Sequence, residues 1–257
     1  MTRCVFAIPG SLATPTGGYT YARKILPLLG AGMETQLCEL PSGFPFPTDA
    51  ELTETVRAIA AASCPGTVFM IDGLAFGAMP EALIARIGSP IAALVHHPLG
   101  LEEGLSAAEK TWLLSLEGQA LALAQTVIVP SQGTAQELSQ LFGEPAEKVT
   151  IAEPGILRGK RAIGSRVSEP LHIVSVGSLT PRKGFAVLID ALLDVSDLAW
   201  RATIAGSPDL SPHTAAEVRQ KISSYGLADR VRGWAAPRSG SLGAPEFRRY
   251  FRARKLL

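Results

Sequence analysis

VSVGSLTPRKG, residues 174–184, runs on as FAVLIDALL and joins a strand, a tight glycine-bearing loop and a helix start in one stretch. Residues 171–176 are an apolar run rich in β-branched side chains and predict a buried strand. Phe185, Leu188, Ile189, Leu192 and Leu193 recur at helical spacing and form one face of a helix. A loop that leaves the carboxyl end of a strand and opens into a helix aims backbone N–H groups and the positive helix end at one point, where an anion can sit. Gly177 lies in that loop, and Arg182 and Lys183 add two cations to it.

Upstream, strand and helix alternate in the same way. Residues 4–8 form a short apolar strand broken by Pro9 and Gly10. The loop after it is expected to hold Gly17 and Gly18, and a helix follows with Ala22, Ile25, Leu26 and Leu29 on one face. Residues 35–40 predict a second strand. PSGFPFP, residues 41–47, cannot be helix or central strand because its prolines lack the amide donor, so it reads as a loop with two exposed or half-buried aromatics. Helical spacing returns at Leu52, Val56 and Ile59, and residues 67–71 make a third strand ending at Asp72 and Gly73. A short helix around 81–87 precedes a fourth strand, 90–95, which runs into His96-His97-Pro98. Ser106 and Glu109 fit a capping box ahead of a long helix to about residue 124. A fifth strand at 126–129, a helix capped by Ser131 with Leu138, Leu141 and Phe142 inside, and a sixth strand at 149–152 complete the series. Alternating strands and helices joined by short loops build a parallel sheet covered by helices, so residues 1–156 predict a complete Rossmann-like domain.

Such sheets bind ligands at the carboxyl edge of their strands. Four sets of residues are expected there: Gly17 with Gly18, Asp72 with Gly73, His96 with His97, and Pro154 with Gly155. The glycines also suit ordinary turns, and Asp72 equally suits a helix cap. Adjacent imidazoles after a buried strand can hydrogen-bond sugar hydroxyls, with at least one expected to face a cleft.

Downstream, LRGKRAIGSRVSEP at 157–170 is basic, carries glycine, serine and proline, and lacks apolar periodicity, which marks a linker. A partial second domain spans 171–232: the opening motif, a strand at 202–205 closed by Gly206, and a helix after Ser211 with Ala215, Val218, Ile222 and Tyr225 inside. A strand then starts at Arg230. Residues 233–257 read as an irregular basic tail. Three strands cannot close a Rossmann-like unit, so this domain is expected to be incomplete and the chain to be cut short.

Composition narrows the function classes. With 257 residues, 47% hydrophobic and 18% charged, the chain is globular, and its net charge of +1 argues against a strongly basic nucleic-acid-binding face. Cys4, Cys38 and Cys64 are too far apart for a zinc pattern and odd in number for a disulfide framework, which fits a reducing cytosol. No apolar run is long enough for a signal peptide or a membrane span. No G-x-G-x-x-G follows the first strand and no G-K-[ST] or G-x-S-x-G occurs, which sets aside nicotinamide enzymes, P-loop NTPases and serine hydrolases.

Taken together, GGY at 17–19, the histidines after the fourth strand, VPS at 129–131, EPG at 153–155 and VGSLTPRKG at 176–184 resemble family 4 retaining glycosyltransferases of the GT-B fold. The resemblance spans about residues 3–232. It implies transfer of a hexosyl group from a nucleotide sugar to a glycan, lipid or small-molecule acceptor, with the nucleotide sugar as substrate and no cofactor or metal. It further implies that the Gly17-Gly18 loop approaches the donor diphosphate, that His96 or His97 is the catalytic histidine near the transferred sugar, and that Lys183 contacts donor phosphate oxygens. Asp72 falls on the acceptor side. Ser178 stands where many relatives carry arginine, which leaves Arg182 as the second phosphate cation. The family's pair of glutamates eight positions apart is absent, because Glu246 is the sole glutamate after Glu217. The competing expectation is therefore a catalytically inactive remnant or an acceptor-binding module.

Overall fold

A computed structural model describes residues 3–14, 16–155 and 169–234, and the chain divides into two units, Met1–Leu157 and Arg158–Leu257. In the first unit the order is β1 (Arg3–Pro9), α1 (Gly17–Gly30), β2 (Glu34–Leu40), α2 (Asp49–Ala62), β3 (Thr67–Asp72), α3 (Gly73–Phe76), α4 (Glu81–Ile84) and β4 (Ile91–Leu94). It continues with α5 (Ala107–Leu123), β5 (Thr126–Val129), α6 (Gln132–Phe142) and β6 (Val149–Ile151). All six strands are parallel, in the order β2-β1-β3-β4-β5-β6. The chain moves outward from β1 to β2 and returns on the other side at β3. The loops after β1 and β3 therefore diverge, and a crevice opens at the carboxyl edge between them.

Side-chain alternation along β1 builds two cores. Cys4, Phe6 and Ile8 face α1 together with Met70 and Leu94, while Val5 and Ala7 face the helices α2 to α6 with Phe69, Ile71 and Ala93. Fully burying one such phenylalanine or isoleucine contributes roughly 1.5–3 kcal/mol, so β1, enclosed on both faces, anchors the unit. The helix starts follow local chemistry. Ser106 and Glu109 form the expected capping box, and Thr48 and Glu51 form a second one at α2.

Several expectations are corrected here. Phe44 is not a half-exposed loop aromatic but part of the larger core; only Phe46 is exposed, stacked on Trp112 at 5.9 Å. The prolines take the loop out of the ladder, yet its residues still dip into the core. The helix expected at 81–87 ends at Ile84, and Leu141 is exposed because the inner face of α6 is carried by Thr134 and Leu138.

The second unit holds β7 (Leu171–Val176), α7 (Phe185–Asp194), β8 (Trp200–Ala205), α8 (Pro212–Ser224) and β9 (Val231–Trp234), in a parallel sheet of order β7-β8-β9. Both helices pack on one face, where Phe185, Ile189, Ala215 and Val218 meet Ala202, Ile204 and Val231. β7 was expected to be buried, but Val174 and Val176 are 58% and 74% exposed. Their side chains point to the other face of the sheet, away from α7 and α8. β9 also runs two residues into the stretch expected to be irregular, because the ladder pairs Ile204 with Gly233 and Ala205 with Trp234 and backbone pairing needs no side-chain periodicity. The linker at 157–170, apart from its last two residues, and the remainder of the tail at 235–257 lie outside the described residues.

Candidate active site

In the first unit, three of the four expected sets converge at the carboxyl edge. Thr16 caps α1, its Oγ1 accepting the Tyr19 N–H, so Gly17 and Gly18 form the first helical turn rather than a preceding loop. Gly18 lies close under the His96 ring: a Cβ there would stand 3.1 Å from Cδ2 and 3.3 Å from Nε2 of His96. The His96 ring also meets Tyr21 edge-on at 5.3 Å. The Tyr19 hydroxyl donates to the Pro9 carbonyl and the Tyr21 hydroxyl to the Ala152 carbonyl, at 3.0 Å in the second case, which ties α1 to the ends of β1 and β6.

Asp72 is the helix cap that the sequence allowed. Its Oδ1 caps α3 by accepting the Leu74 N–H at 3.0 Å, and its Oδ2 lies 3.9 Å from His96 Nε2. Gly73 permits this junction, since a Cβ there would stand 3.0 Å from the Leu94 carbonyl oxygen. Burial pushes the Asp72 carboxyl up to about 6, against the opposing effect of the Leu74 amide. Burial pushes His96 below the usual imidazole range. Each shift disfavours a charged form, and 3.9 Å is too long for a hydrogen bond, so near neutral pH the arrangement is a neutral imidazole beside a carboxylate rather than an ion pair. His96 Nε2 is shielded and has no hydrogen-bond partner among the described residues. Burial, with the Asp72 charge second, holds the Tyr19 phenol up to about 12, so it remains a donor.

His97 goes elsewhere. Its Nδ1 lies 4.0 Å from Glu137 on α6, and only His96 joins the Gly18 cluster. Pro154 and Gly155 are exposed beyond β6, and a Cβ on Gly155 would meet no atom within 4 Å.

In the second unit, the loop after β7 forms a separate constellation. A 3-10 turn, Pro181–Lys183, leads into Gly184, whose φ of +63° caps α7 with no side chain among the described residues bonded to its first amides. Arg182 and Lys183 are exposed, and a Cβ on Gly177 would stand 3.5 Å from Lys183 Cδ, so the lysine stem lies over the glycine. The Gly177 amide is already committed to the Ala205 carbonyl at 2.9 Å. A Cβ at position 177 would meet Lys183 only at ordinary contact distance, and the open amides in this loop belong to the start of α7.

Sequence reasoning missed two residues. Tyr21, which contacts His96, gave no signal beyond following GGY. Glu117 is wholly buried on α5, and its Oε2 accepts the Leu99 N–H at 2.8 Å, two residues after His97. Its spacing from Leu113, Ala120 and Leu121 puts it on the buried face, which is the sign that could have found it. Burial pushes its carboxyl up to about 7, against the lowering effect of the Leu99 amide. Among the described residues no group of three potential metal ligands occurs, and no helix is long and apolar enough to cross a membrane. A surface cavity of about 630 Å³, lined by Cys64, Gly66, Gly88 and Ser89, lies at the amino end of β3 and β4, opposite the His96 edge.

The family model described as glycosyl transferase 4-like domain matches residues 9–155, more than half of the chain and nearly all of the six-stranded unit. The chain belongs to this family. No curated protein sequence matches it. Among solved structures, the Anabaena protein Alr3699/HepE in complex with UDP is similar at a TM-score of 0.62 and 17% identity, with 92% of this chain and 70% of that chain covered. The lipopolysaccharide outer core galactosyltransferase WaaB, in apo form, gives 0.63 and 12%, with 97% and 71% covered. A glycosyltransferase from Rickettsia africae gives 0.57 and 14%, with 92% and 69% covered. These likenesses establish a GT-B-like α/β fold for this member of the glycosyl transferase 4-like family.

Proposed function

We propose that the chain transfers a hexosyl group from a nucleotide sugar to an acceptor, with retention of anomeric configuration, as a family 4 glycosyltransferase. The carrying observation is the close approach of the His96 ring to Gly18 at the start of α1, in a chain of the glycosyl transferase 4-like family. Three chemical tasks follow. Lys183 and Arg182, with the open amides at the start of α7, neutralise the leaving diphosphate, so no metal or other cofactor is part of the proposal. His96 hydrogen-bonds a hydroxyl of the transferred sugar, and Asp72 serves the acceptor side; His97, turned to α6, is left out. In the transfer the anomeric carbon's bond to the diphosphate oxygen breaks, the acceptor oxygen bonds that carbon, and its proton leaves with the phosphate.

UDP-hexoses are the donors to try first, because HepE has been crystallised with UDP, with UDP-glucose and with UDP and glucose. A cytosolic location belongs to the same proposal and is supported by three free cysteines. The test is release of nucleoside diphosphate from a panel of nucleotide hexoses. Lys183→Ala is expected to lower turnover about a hundredfold or more, and near-normal turnover in that variant refutes the assignment.

The competing reading is an acceptor-binding module without transfer activity, resting on the six-stranded unit that carries the family match. Under that reading no nucleotide sugar raises the melting temperature; saturable stabilisation by one would falsify it.

A further inference from the structure

We infer that Glu117 is a positioning residue for His96, fixing the turn at residues 96–98 through the main chain of Leu99. The inference rests on the proposed function only in giving His96 its task; the contact itself is independent of it. Leu99 opens a 3-10 turn, Leu99–Leu101, preceded by Pro98, and no side chain of its own segment caps that turn. The Leu99 amide is instead met from the helix behind, by Glu117 Oε2 at 2.8 Å.

The packing leaves this turn little freedom. A Cβ on Gly77 would stand 3.0 Å from both Glu117 Cγ and Leu99 Cδ1, and one on Gly100 would stand 2.4 Å from Leu114 Cγ. The turn is pressed against α5, and both glycines are needed for that approach. On the other side of the histidines, the Val95 amide donates to the Ile128 carbonyl at 2.9 Å. His96, His97 and Pro98 thus span two fixed points, Val95 bonded to Ile128 just past β4 and Leu99 on Glu117. With both ends held and the proline ring restricting φ, His96 is directed at Gly18 while His97 turns to α6.

An apolar side chain at position 117 would fill the same volume but leave the Leu99 N–H without its acceptor. Oε1 has no hydrogen-bond partner among the described residues, so the single bond to Leu99 is what the burial of this carboxyl achieves. Glutamine would preserve that bond through its carbonyl oxygen.

The test uses the 257-residue chain and needs no transfer activity, so failure of the glycosyltransferase reading and failure of this inference are separate results. Histidine-ring NMR and amide hydrogen exchange are recorded on the parent, Glu117→Ala and Glu117→Gln. In Glu117→Ala the His96 ring signal is expected to shift and its titration to move up toward the free-imidazole value, while the ring signals of His172 and His213 keep their positions. Exchange of the Leu99 amide is expected to accelerate roughly tenfold or more, the change expected when a hydrogen bond to a carboxylate is lost. Glu117→Gln restores both. A folded Glu117→Ala chain with parental His96 signals and parental Leu99 exchange overturns the inference. If that variant does not fold, the parent decides: a Leu99 amide protected like those of β4 supports the inference, and one exchanging as fast as that of Gly104 overturns it.

Discussion

Gly18 and His96 show what one missing side chain does. A methyl group on Gly18 would sit 3.1 Å from the ring, tighter than ordinary contact, and the imidazole is the group able to swing away. Gly18→Ala is therefore expected to cost little stability, because alanine is the better helix residue. It should lower turnover about tenfold or more by displacing His96, the scale on which misplaced catalytic groups act. Steady-state kinetics alongside thermal melts check this, and an unchanged kcat contradicts the role given to the contact. The sequence marked both glycines and both histidines as candidates but could not choose between His96 and His97, since the choice depends on how the chain leaves β4 and is held at Leu99. It also placed Gly17 and Gly18 in a loop, because glycine suggests a turn, whereas Thr16 already supplies the cap. Glu117 escaped notice because a lone carboxylate in a helix ordinarily faces water.

Among the elements, the loops after β7 and β8 depend on each other. The Gly177 and Leu179 amides donate to Ala205 and Ser207, and a Cβ on Gly206 would stand 1.6 Å from the Gly177 carbonyl oxygen. Backbone cannot yield there as a flexible side chain can. Gly206→Ala is expected to destabilise the second unit by on the order of 3 kcal/mol and to weaken donor binding by moving the Lys183 loop; urea unfolding with a parental midpoint would rule out the clash. Strand and helix periodicity were legible throughout, as was the capping box at Ser106. The equivalent box at Thr48 carried the same signal and was hidden by the preceding prolines. Burial of β7 was not legible, because an apolar run shows that a strand can be buried without showing whether helices cover one face or two.

For the whole molecule, two buried carboxyls tie stability to pH. Asp72 rises from 3.8 to about 6 and Glu117 from 4.5 to about 7. Since both folded values lie above the unfolded ones, their contribution is fully present below about pH 4 and is lost as pH rises through 6 and then 7. Asp72→Asn and Glu117→Gln, each keeping its hydrogen-bond acceptor, are expected to flatten the stability profile between pH 4 and pH 8 by roughly 3 kcal/mol per site. Denaturant unfolding across that range checks it, and profiles parallel to the parent's contradict the burial account. The order of the six strands was not legible, because hydrophobic patterns identify strands but not neighbours. GGY and the histidines after β4 lie within the match over residues 9–155 to the glycosyl transferase 4-like family, and the VGSLTPRKG loop lies outside it. Transfer with retention is the central claim, and proton NMR of the anomeric signals tests it most directly. With an α-linked nucleotide hexose and an accepted sugar or lipid, the account predicts an α-linked product and release of nucleoside diphosphate. A β-linked product, or no product from any donor in the panel, would contradict it.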